Sequence, residues 1–90
     1  MRFEWNAGKA AANLAVHKVS FEEAQTVLES EAQLVLEDLG HDENRFIALG
    51  YSQKVRLLVV VYTYPGEDVV RIISARKATR KESETYEKRI

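Results

Sequence analysis

Ninety residues, 46% apolar and 30% charged, suit one globular domain spanning 1–90. With no cysteine, the chain has no disulfide framework, thiolate metal site or cysteine nucleophile, which fits a reducing compartment. Net charge is −1, but residues 1–44 carry 3 basic and 9 acidic side chains and residues 45–90 carry 10 basic and 5 acidic. Such a chain either presents a basic surface from one half or intermixes its charges on folding. The longest apolar run, Leu57 to Tyr62, is too short to span a bilayer. Met1-Arg2-Phe3-Glu4-Trp5 has no apolar export segment, so a cytoplasmic protein without membrane contact is expected.

Arg2 to Trp5 alternates and reads as a short strand. Asn6 is placed to cap a helix from about Ala7 to His17, with a narrow apolar stripe of Ala10, Ala11 and Leu14. Ser20 opens a second helix, Glu23 completes a capping-box pattern, and Phe21, Ala24, Val27 and Leu28 form the inward face. That helix is expected to end near Ser30. From residue 33 the period changes to two. Gln33 to Glu37 reads as a strand, Asp38 to Asn44 as a polar turn region and Arg45 to Ser52 as a strand. Val55 to Tyr64 is the clearest strand, because Val59-Val60-Val61 is β-branched and too apolar for a sheet edge. Pro65-Gly66-Glu67-Asp68 reads as a hairpin loop and Val69 to Ala75 as the last strand. Thr79 and Glu82 form a second capping box before a final helix. Short connections imply an antiparallel meander of about four strands. The order β-α-α-β-β-β-β-α makes an α+β domain with two N-terminal helices and a C-terminal helix on the sheet.

That order, with Phe3-Glu4-Trp5, Lys9-x-x-x-Asn13, His17 and Val19-Ser20-Phe21-Glu22-Glu23-Ala24, resembles the BrnT toxins. So do Arg45-Phe46, Gly50, Leu58-Val59-Val60-Val61-Tyr62-Thr63, Arg71-Ile72-Ile73-Ser74-Ala75-Arg76, Ala78, Glu82 and Tyr86. The resemblance implies a RelE-like fold and metal-independent endonucleolysis of mRNA. It also implies a ribbon-helix-helix, BrnA-type antitoxin as silencing partner, with promoter DNA bound only through that antitoxin. Three places depart from the family pattern. Asn6 stands for the usual Asp, Val16-His17-Lys18 for Lys-His-Gly, and Lys81-Glu82-Ser83-Glu84 for a more basic run. They leave open a second reading, a binding module without catalysis that acts as co-repressor with its antitoxin.

Metal-independent RNA cleavage needs a base for the 2′-hydroxyl, an acid for the leaving 5′-oxygen, and cations for the charge on phosphorus. No Asp, Glu and His spacing suits a metal, and His17 and His41 are too far apart to make a local ligand pair. No cofactor is called for. The candidate catalytic residues are therefore Arg71, Arg76, His17 and Lys9. Lys9, Asn13 and His17 fan over roughly 80° of one helix face, and His17, beside the apolar stripe, is expected to be half-buried. Histidine suits proton transfer near neutrality, but one at a helix end is also favoured by the dipole there. Arg71 and Arg76 can grip phosphate, or Arg71 can pair with a sheet carboxylate such as Glu37. Five apart, the two arginines share a face only if the strand ends or bulges before Arg76. Candidate RNA contacts are Arg80, Tyr86, Trp5 and Asn13. Tyr86 and Trp5 are equally suited to packing in the core.

Overall fold

A computed structural model describes residues 1–38 and 44–88. The predicted turn at 38–44 therefore falls mostly, and His41 wholly, outside the described residues. The element order is β1 (Arg2–Glu4), α1 (Ala7–His17), α2 (Phe21–Leu28), β2 (Leu34–Asp38), β3 (Arg45–Tyr51), β4 (Leu57–Gly66), β5 (Val69–Lys77) and α3 (Arg80–Glu87). This is the succession the periodicity predicts. The sheet order is β1-β5-β4-β3-β2. β2 to β5 form the expected antiparallel meander, with β4 and its valines at the centre. The sheet as a whole is mixed, because β1 pairs in parallel with β5, Glu4 opposite Arg71. A pairing between chain ends leaves no local signal, so the sequence reads as a meander alone.

Alternation along β4 divides the sheet into two faces. Leu58, Val60 and Tyr62 meet Val19, Phe21, Ala24 and Val27 in the main core under α1 and α2. Val59 and Leu49 meet Tyr86 of α3 in a smaller cluster on the other face. The hairpin turn is tighter than predicted. β4 runs on through Pro65 and Gly66, and Gly66 pairs with Val69 across Glu67 and Asp68.

The caps follow the local chemistry with one exception. Asn6 accepts from the Lys9 N–H, and Thr79 and Glu82 form a full capping box. Ser20 accepts from the Glu23 N–H, but the Glu23 carboxylate does not return the bond. It is 2% exposed and turns inward, where Ser52 Oγ and Arg56 donate to it. Arg56 also donates to the Lys18 carbonyl, which ties the β3–β4 turn to the end of α1. The Arg56 guanidinium holds the Glu23 carboxyl below its ordinary value against the opposing effect of burial. Lys18, at the position where the family pattern has Gly, keeps the left-handed helix-ending conformation with φ 61°.

α1 corrects a second expectation. Of the predicted stripe, Ala10 packs on the core, whereas Ala11 and Leu14 are exposed. The buried residue of the helix is Asn13. β1 is three residues long and leaves the rest of the β5 edge without a strand. α1 lies along that edge, where unpaired backbone groups call for a polar partner rather than an apolar one.

Candidate active site

The β5 register resolves the arginine question. Val61 pairs with Ser74 and Tyr62 with Ile72, so Ile73 is an extra residue in β5. The bulge shifts the alternation by one. Arg71 beside Thr63 and Arg76 beside Val59 therefore lie on one face, as the sequence requires if they are to cooperate. They still do not meet. Four paired positions separate their partners on β4, about 13 Å along a strand. Arg76 is also engaged. Both its terminal nitrogens donate to Glu82 at 2.8 Å, pinning the start of α3 to the sheet. The guanidinium holds the Glu82 carboxyl down at about 2.

Arg71 sits at the other end, beside β1. Its Nε donates to Glu4 Oε2 at 2.8 Å, and its Nη2 lies 2.7 Å from the same oxygen. The predicted carboxylate partner exists, but it is Glu4 of the adjoining strand. Glu37 belongs to β2 at the opposite sheet edge. Arg71, Glu4, Trp5, Asn6 and Lys9 line an open cleft of about 360 Å³ where β1 hands over to α1. Trp5 is half-buried, its ring edge-to-face with Phe21 at 5.9 Å, so it serves as core wall and cleft wall together. The N-terminus of α1 opens beside it, adding partial positive charge to that of Lys9 and Arg71.

Lys9 also lines a second, shallower groove of about 240 Å³, with Ala12, Asn13, Val16, His17 and Ile73. The sequence places Lys9, Asn13 and His17 on one face, and the groove joins them. Yet His17 is exposed rather than half-buried. Eight residues separate it from Lys9, about 12 Å of helix rise, which is two turns from the Arg71 end. The groove thus runs from Arg71 past Lys9 towards His17, a length suited to successive groups of a strand rather than one reacting centre.

The remaining candidates are placed elsewhere. Asn13 is committed to the fold. Its amide donates to the carbonyls of Val19 and Ala75, and its oxygen accepts the Ala75 N–H. Tyr86 is 5% exposed, donates to the Ala32 carbonyl and packs edge-to-face on Tyr51, so its ring has no open face for a base. Arg80 is exposed, its guanidinium 3.8 Å from Glu84. A third groove, about 460 Å³, lies over Phe3, Phe46, Tyr62 and Tyr64. Among the described residues no Lys, Arg or His side chain lines it. Glu4 and Asn6 are the cleft residues that sequence reasoning missed. The alternation of Arg2 to Trp5 sets the face of Glu4, but only the parallel register says which arginine it meets.

The charge halves prove partly intermixed, since Arg71 and Arg56 of the basic half pair with Glu4 and Glu23 of the acidic one. Among the described residues no three His, Cys, Asp or Glu groups gather as a metal site. No described helix is long and apolar enough to cross a membrane.

The family model described as "Ribonuclease toxin, BrnT, of type II toxin-antitoxin system" matches residues 5–82. The fold is similar to the 1.1 Å crystal structure of the Brucella abortus ribonuclease toxin BrnT, with TM-score 0.72 and 22% identity. That likeness covers 89% of this chain and 99% of the other. No curated protein is significantly similar in sequence.

Proposed function

The chain belongs to the BrnT family of ribonuclease toxins of type II toxin–antitoxin systems, and from that premise we propose that it cleaves RNA without a metal ion in the cleft at the β1–β5 edge. The observation that carries this reading is the gathering of Arg71, Lys9 and the α1 N-terminus around one opening with Trp5 on its wall. The lining is two cations, an amide, an indole and the single carboxylate of Glu4 rather than clustered carboxylates and imidazoles. Such a set stabilises charge on a phosphate directly.

In this mechanism Arg71 grips non-bridging oxygens of the scissile phosphate and Lys9 balances the charge that develops in the transition state. Trp5 stacks on an adjoining base. His17, two helical turns away, contacts a neighbouring nucleotide. Arg80 adds long-range attraction for the RNA backbone. Attack by the 2′-oxygen expels the 5′-oxygen and leaves a 2′,3′-cyclic phosphate. Arg76 takes no part in the chemistry and holds α3 in place.

A type II toxin has an antitoxin partner. Here that partner is a ribbon-helix-helix protein of the BrnA type, which silences the cleft and carries any promoter binding, and the pair works in the cytoplasm on a RelE-like scaffold. The test is RNA degradation by the purified protein in EDTA. Wild type should cleave, Arg71→Ala should lose cleavage, and His17→Ala should bind RNA more weakly. Intact RNA at enzyme excess overturns the reading.

A further inference from the structure

The cleft contains one carboxylate, and its relation to Arg71 gives it a role. Both contacts from Arg71, Nε at 2.8 Å and Nη2 at 2.7 Å, fall on Glu4 Oε2. They use one edge of the guanidinium fork. The Nη1–Nη2 edge makes no bond to Glu4 and matches a phosphate bidentately. The other carboxylate oxygen, Oε1, takes no bond from Arg71. Arg2 Nη2 lies 3.9 Å from it. One third of the Glu4 side chain is exposed, at 34%, and it faces the cleft.

We propose that Glu4 is the general base of the reaction, taking the proton of the attacking 2′-hydroxyl on Oε1 while Arg71 holds the phosphate on its free edge. The proposal rests on reading the cleft as the RNA-cleaving site. A carboxylate and a phosphate on adjacent edges of one guanidinium lie about 7 Å apart, centre to centre. An attacking oxygen in line with phosphorus stands about 3 Å from it, so it falls within hydrogen-bonding reach of the carboxylate. Arg71 thus sets the distance between base and phosphate. In the step, the 2′-O–H proton passes to Glu4 as the 2′-oxygen bonds to phosphorus. The bond from phosphorus to the 5′-oxygen breaks, and the leaving oxygen takes a proton from the Lys9 ammonium. The products are a 2′,3′-cyclic phosphate and a 5′-hydroxyl. Afterwards Glu4 loses its proton to water and Lys9 regains one.

The test compares wild type with Glu4→Gln and Glu4→Asp on an RNA oligonucleotide across pH, with binding measured separately on its uncleavable 2′-deoxy analogue. Glutamine keeps an acceptor for Arg71 but cannot take a proton. Glu4→Gln should lower kcat about 100-fold or more, remove the acidic limb of the rate profile and bind the analogue at least as tightly. Glu4→Asp should restore part of the rate and the acidic limb. Wild-type rate and pH profile in Glu4→Gln would overturn the role of Glu4 while leaving the cleavage site standing. Wild type inert towards RNA would remove both readings together.

Discussion

The side-chain amide of Asn13 occupies the place of a neighbouring strand for Ala75, accepting its N–H at 3.1 Å and donating to its carbonyl at 2.8 Å. One side chain so closes the β5 edge that β1 is too short to cover, and a third bond, to the Val19 carbonyl, fixes the chain between α1 and α2. Asn13→Ala would strand buried backbone groups on both sides. It should cost about 2–4 kcal/mol in urea unfolding. A change below about 1 kcal/mol would show that water replaces the amide, and the edge would then be weakly specified.

Arg71 and Arg76 separate chemistry from stability. Arg71→Ala removes a phosphate grip and an exposed pair with Glu4, so RNA cleavage should fall about 100-fold or more while stability changes by less than about 1 kcal/mol. Arg76→Ala releases α3, and should lower stability by about 1 kcal/mol with cleavage by the folded protein within about threefold of wild type. Parallel measurement of unfolding midpoints and cleavage rates decides this. The reversed pattern would place the reacting phosphate at Arg76.

The Arg76–Glu82 pair also predicts part of the acid response. Glu82 is held at about 2, below an ordinary value of 4.5. A carboxyl depressed on folding binds its proton more readily unfolded. Its stabilisation is therefore complete above about pH 4.5 and drains away as pH falls towards 2. Both partners are partly exposed, so solvent screening limits the effect to about 1 kcal/mol. Glu82→Gln should be less stable than wild type at pH 7 and approach it by pH 2–3, as seen by urea titration at several pH values. A constant difference across this range would show that Glu82 stabilises the fold independently of its charge.

Val55 lies in the turn after Ser52 with φ 59° and is 78% exposed. A β-branched residue in the left-handed region carries strain of about 1–2 kcal/mol, with no burial of its own to offset it. Val55→Asn should raise stability by about 1 kcal/mol, measured as a higher unfolding midpoint, without altering RNA cleavage. The turn anchors Arg56 against Glu23, so destabilisation would mean that the valine side chain braces this anchor.

Local patterning was sufficient for the element order, the helix starts at Asn6, Ser20 and Thr79, and the central position of β4. Capping oxygens act within three residues, and an apolar period is a property of adjacent positions. The parity of Arg71 and Arg76 was also legible as a condition: only a bulge or an early strand end could bring them to one face. Whether it was met depended on packing, because the extra residue at Ile73 is defined by its register against β4. The burial of Asn13 was hidden for the same reason. An asparagine at the fourth position of a possible active face reads as solvent-facing until a strand edge lies beneath it. Glu4 shows the division most clearly. Its alternation with Phe3 and Trp5 gave it a face, but sixty-seven residues separate it from Arg71, and parallel pairing between chain ends has no short-range signature. The chain's chemistry-bearing residue types were written in the primary structure. Which of them meet was decided along one edge of β5, closed in part by β1 and in part by the Asn13 side chain of α1.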